Sequence, residues 1–226
     1  MSNETFNPGM PISITIPLDL KNIEVTFWMR PFTTDTLKSR YRLNHPYSSL
    51  YIQKIVPYSD RQMLDPTDTA ALSFCVSSHI LEDVQSMFKE ALSWFTPENI
   101  SILYGKNDDG ILMFNSEYQK LNAVCVNEYG KSKTALKIVP TVVEVGNNVY
   151  EPGVVFYINM LANGIVLRLY ELKRLANFII NFNFVTYDQF ALQCFQHCLL
   201  TGSILSREQV QRRLDSQRQY NTNFRY

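Results

Sequence analysis

Ala70-Ala-Leu-Ser-Phe-Cys-Val76 runs into Ser77-Ser-His-Ile80-Leu-Glu-Asp-Val84-Gln-Ser-Met87-Phe88-Lys-Glu-Ala-Leu92-Ser-Trp-Phe95, and the hydrophobic period changes between them. The first stretch is a short apolar run bounded by a polar loop, the pattern of a strand. In the second, Ile80, Leu81, Val84, Met87, Phe88, Leu92 and Phe95 fall on one helical stripe. Ser77 or Ser78 is expected to cap this helix, and Thr96-Pro97 to stop it. Three strands precede it in the same reading. Ile12-Ser-Ile-Thr-Ile16 alternates strictly, Ile23-Glu-Val-Thr-Phe-Trp-Met29 alternates before turning apolar, and Tyr51 to Val56 is a third. The order is four strands, then a helix.

The order recurs about ninety residues later. Ser101 to Tyr104 reads as a short linking strand, and Asn107-Asp-Asp-Gly110 as a turn with Ile111 to Phe114 beyond it. Leu121 to Val126, Ala135 to Val145, Gly153 to Ile158 and Ile165 to Leu169 read as strands, with turns at Asn147-Asn148 and Asn163-Gly164. Tyr170 to Phe182 is helical, with Leu172, Leu175, Ala176, Ile179 and Ile180 on one face. A helix from about Tyr187 to Leu200 follows, and Ser206 starts a last, Arg-rich one. The fold class is therefore α+β: two antiparallel four-stranded curved sheets, each followed by a helix, plus carboxy-terminal helices. The units are 1–98, 99–202 and a tail 203–226, the first two expected to form one compact domain. An unrelated mixed α+β fold also fits this string of elements.

The 226 residues suffice for one sizeable core or two small ones. No apolar run approaches the ~20 residues of a membrane helix. The polar start, Met1 to Pro11, lacks the basic and apolar regions of a signal peptide. Cys75, Cys125, Cys194 and Cys198 are scattered, as reduced thiols in a cytoplasm would be. A soluble, cytoplasmic protein is expected, lying in the host cytoplasm if the compact chain is viral. Formal charge is zero, but it is unevenly distributed. Residues 28–61 hold six basic side chains against two acids, 62–130 ten acids against three lysines, and 131–178 six basic side chains against three acids. A fold can gather the basic stretches on one face.

Lys131-Ser-Lys-Thr-Ala-Leu136 resembles the lysine-glycine-lysine-alanine-alanine-leucine strand that the Whirly family of single-stranded DNA-binding proteins uses for DNA contact and assembly. Leu136-Lys-Ile-Val-Pro140 and Val155-Phe-Tyr-Ile-Asn159 resemble strands of that family's second repeat. The helix ending Leu175-Ala-Asn-Phe-Ile-Ile-Asn-Phe-Asn-Phe184 is similar to its closing helix. Ser132 stands for the glycine, Thr134 for an alanine, and the lysine strand opens the second repeat rather than lying in the first. The resemblance implies tandem four-strand-plus-helix units, as in the related fold of a transcriptional coactivator. It also implies binding of single-stranded DNA or RNA in a replication or transcription complex, beside a polymerase or similar protein, and assembly into a homo-oligomer.

Single-strand binding needs cations for phosphates and flat side chains on which bases stack. Trp28, Arg30, Lys38, Arg40, Tyr41, Arg42, Tyr47 and Lys54 interleave both kinds, and Lys131, Lys133 and Lys137 alternate along one strand. The same residues also read as core aromatics, solvated charges and a lysine-protected sheet edge. Gln193-Cys-Phe-Gln-His-Cys198 lacks a second ligand pair, so Cys194 and Cys198 read as buried helix residues and not as a metal site. No phosphate loop, nucleophile elbow or zinc-protease pair occurs, and Glu171 with Lys173 makes a poor nuclease set. The expectation is a binding protein without catalytic residues or cofactor, with no membrane partner. The rival is a protein-interaction or assembly subunit.

Overall fold

The computed structural model describes residues 12–29, 48–55, 73–129, 132–159 and 164–184, and nine positions between Gln193 and Ser216. Strands β1 (Ile12–Ile16), β2 (Ile23–Met29), β3 (Ser48–Lys54) and β4 (Ser73–Val76) form a four-stranded sheet in chain order. Helix α1 (Leu81–Ser93) follows. After α2 (Pro97–Leu103), the hairpin β5 (Tyr104–Lys106) and β6 (Leu112–Phe114), and a 3-10 turn, comes a second sheet. Its strands are β7 (Ala123–Tyr129), β8 (Ser132–Gly146), β9 (Val149–Ile158) and β10 (Ile165–Arg168), again consecutive neighbours, and α3 (Leu169–Ile180) closes it. The architecture is α+β, and four strands then a helix occurs twice.

The chain divides into two compact units. One comprises Met1–Ile16, Thr26–Leu50 and Asn183–Tyr226; the other comprises Pro17–Val25 and Tyr51–Phe182. In the first, Phe27 is fully buried and its ring lies 6.4 Å from that of Phe184. In the second, α1 and α3 pack on each other and on one face of the second sheet. Val84, Met87 and Phe88 of α1 and Leu172, Leu175 and Ile179 of α3 share a buried layer with Leu136, Ile138, Val154, Phe156 and Leu167. Alternate residues of β7 to β10 supply that layer, the period-2 rule of a strand with one face inward.

Local chemistry sets the ends of these elements. Neither Ser77 nor Ser78 caps α1; Ile80 holds that position without a side-chain bond, and its N–H donates to the Ser77 carbonyl at 3.3 Å. Glu82 and Asp83 in the first turn offset the missing cap by facing the positive helix end. Thr96-Pro97 ends the first helix and also starts a second, because Pro suits the first helical position and Thr96 Oγ1 accepts from Asn99 N–H. Ser101 to Leu103 is therefore helix, not strand, and β5 begins only at Tyr104. In the β5–β6 turn, Asn107 Oδ1 accepts from the N–H groups of Asp109 and Ile111 at 3.1 and 2.8 Å. Asn147 and Asn148, at φ 51° and 59°, turn β8 into β9.

Two asparagines tie β4 to the second sheet inside the larger unit. Asn159 Nδ2 donates to the Ser73 carbonyl at 2.7 Å, and Asn127 Nδ2 to the Cys75 carbonyl at 3.2 Å. Asn159 sits at φ 57°, a left-handed conformation that asparagine tolerates better than most residues. Gln85 of α1 donates to the carbonyls of Ile179, Ile180 and Phe182 where α3 ends.

Candidate nucleic-acid interface

Of Trp28, Tyr41 and Tyr47, Trp28 alone lies among the described residues. It follows core residue Phe27 on β2, so strand alternation turns it away from the core, and the indole is 42% exposed. An indole at such a position offers a flat face on which a base can stack. Lys54 ends β3, half-buried, and belongs to the other compact unit. Arg30, Lys38, Arg40, Tyr41, Arg42 and Tyr47 lie outside the described residues, as does Lys131.

The lysine strand is β8. Lys133 is placed opposite Glu128 in the β7–β8 register. Lys137 has Val124 on one side and Tyr157 on the other, so at Lys137 the strand is internal to the sheet and not a protected edge. Around it, the face turned away from the helices is apolar. Val124, Val126 and Val166 are 45%, 40% and 50% exposed, and Val139, Val155 and Tyr157 are half-buried between them. At the lower corner Arg168 forms a two-pronged ion pair with Glu151, with Nη2 to Oε2 at 3.1 Å. The Arg168 guanidinium stands 5.1 Å above the Tyr170 ring. The Glu151 hydrogen bond raises the Arg168 pKa further above its ordinary value. Among the described side chains, a basic groove is not what surrounds Lys137. An apolar platform is.

This platform was not singled out from the sequence, although a signal was present. Ala123 to Val126, Val154 to Ile158 and Ile165 to Leu167 are apolar at both strand parities. Such strands are the mark of a sheet covered on two faces.

Glu171 is occupied with structure: its Oε2 accepts from the Arg168 N–H at 2.9 Å, capping α3 from the third helical position. Among the described residues no group of three His, Cys, Asp or Glu side chains is placed to hold a metal ion. Cys194 and Cys198 lie outside them. Also among the described residues, no helix is long and apolar enough to cross a membrane.

No family model, curated protein or solved structure matches this chain. Its chemistry is therefore read from its own residues.

Two buried acids under the sheet make stability sensitive to alkali. Burial, with Asp83 nearby, pushes the Cys125 thiol up to about 11, and burial also raises the Tyr104 phenol. Tyr104 Oη–H donates to the Thr141 carbonyl at 3.2 Å, which requires the neutral form. A raised folded pKa means that the unfolded chain loses its proton first. The contribution is whole below the unfolded thiol pKa of ~8.5 and fades as pH rises toward the folded value. Urea melts should therefore show falling stability between pH 9 and 11, and Cys125→Ala should flatten the lower part of that fall. A pH-independent midpoint over this window would contradict the burial of both groups.

Proposed function

We propose that this protein binds single-stranded nucleic acid, as a tandem four-strand-plus-helix protein of the Whirly kind. The observation that carries the reading is the doubled topology: two sheets of four consecutive strands, each followed by a helix. That is the organisation the lysine-strand resemblance implies. Exposed Trp28 supports it, because the residue opens the most basic stretch of the sequence, 28–61. Bases would stack on Trp28 while cations of residues 30–61 neutralise phosphates. Service to a replication or transcription complex follows from such binding.

Anisotropy of a labelled single-stranded oligonucleotide, with duplex DNA and RNA in parallel, tests this. Affinity should fall with salt at a log–log slope near −0.7 for each neutralised phosphate. Trp28→Ala should weaken binding by about tenfold, since one base–aromatic stack is worth ~1–3 kcal/mol. Salt-independent affinity, or a preference for duplex, would refute the reading.

The apolar outer face of β7 to β10 favours a second reading, an assembly subunit that grips protein and not nucleic acid. Absence of any oligonucleotide binding, with association retained, would select it.

A further inference from the structure

The outer face of the second sheet carries an inference that does not depend on nucleic-acid binding. Antiparallel sheets with one free face normally alternate apolar and polar side chains. Here Val124, Val126, Val139, Val155 and Val166 occupy the outward positions, three of them at 40–50% exposure. Gly164 keeps the platform flat: a Cβ there would collide with Val155 and Tyr157, which lean across it toward β10. Four strands at ~4.8 Å spacing and six steps of ~3.3 Å along β8 give about 400 Å² of face. That is the size of the largest patch on a typical monomer, a patch that is often functional. Two such faces together bury about 800 Å², at the small end of the scale, as a weak homodimer would.

We propose that a second copy of this chain packs on this face, sheet against sheet, about a two-fold axis. The register makes the face self-complementary. With the axis parallel to the strands and midway between β8 and β9, β8 of one copy lies over β9 of the other. Val139 then meets Val155, and Lys137 meets Tyr157, since each pair shares one register position across the two central strands. Both contacts occur twice, as an isologous interface requires. Lys137 at the centre of the platform thus finds the Tyr157 phenol of the other copy, by a cation–π contact or a bond to its oxygen. Among the described side chains a nucleic acid would find one ring, Tyr157, and one central cation amid valines that cannot stack, so it is the poorer occupant. The ion-paired Arg168 and Glu151 lie at the corner, where an interface rim is wet.

Sedimentation of the full chain in the micromolar range tests this. The wild type should behave as a dimer. Val124→Glu together with Val166→Glu should sediment as a monomer, with a dissociation constant raised at least about 100-fold by burying unpaired charge. Its thermal melt should match that of the wild type at monomer concentrations, because both positions are exposed. If that double variant fails to fold, Val166→Lys alone on the edge strand serves, with the same expected loss of dimer. A monomeric wild type, or a folded variant that still dimerises, would overturn the proposal.

Discussion

Phe156→Ala should lower the unfolding free energy by about 3–5 kcal/mol, the range for removing a buried aromatic from a core that cannot collapse around the gap. Phe156 has no exposed surface and sits mid-strand on β9, in register with Ile138 on one side and Ile165 on the other. Its ring lies 6.0 Å from that of Phe88 on α1, so one side chain joins three strands to a helix. Equilibrium urea unfolding measures the loss. Phe88→Ala combined with it should cost less than the sum of the two, by about 0.5–1.5 kcal/mol for the lost ring pair. A loss under ~1 kcal/mol for Phe156→Ala would mean the layer between sheet and helices is not close-packed.

Replacing Asn127 and Asn159 together by alanine should cost about 2–4 kcal/mol, for reasons unrelated to apolar burial. The change strips donors from the Ser73 and Cys75 carbonyls and an acceptor from the Ala135 N–H, which Asn159 Oδ1 receives at 3.3 Å. It also places alanine at φ 57°. Asn159→Gly should therefore be milder than Asn159→Ala by ~1 kcal/mol, since glycine accepts that backbone without penalty. Hydrogen exchange should show β4 amides opening before those of β8 in the double variant. Equal effects of glycine and alanine would remove backbone strain from the account.

The repeat was legible because period is local. Ile12–Ile16 and the Ile80 to Phe95 stripe announce strand and helix from their own spacing, and Asn107-Asp-Asp-Gly110 encodes its turn in one side chain. Ends were less legible. Ser77 and Ser78 have the right chemistry to cap α1, but the chain enters the helix through Ile80. Thr96-Pro97 ends one helix and begins another with the same two residues, so a stop signal concealed α2. Of the candidate site, Trp28 is 42% exposed beside buried Phe27, although Thr26 at the same strand parity is buried, so alternation alone did not foretell it. Lys137 carried a charge that suggested phosphate, yet its neighbours are fixed by β7 and β9, strands brought alongside by pairing. Which side chains share a sheet face is a property of register, and register is written across strands.

Gln85 has a consequence for synthesis. Its amide has two hydrogens for three carbonyls at 3.1–3.2 Å, so the bonds are shared among Ile179, Ile180 and Phe182. The Ile179 carbonyl also accepts from the Phe182 N–H at 3.1 Å, but the Gln85 amide, 94 positions before Ile179, reaches all three carbonyls. On the ribosome, α1 is complete long before α3 is translated. The bond therefore closes only when α3 has been made, and it ties the end of the second repeat back to the helix of the first.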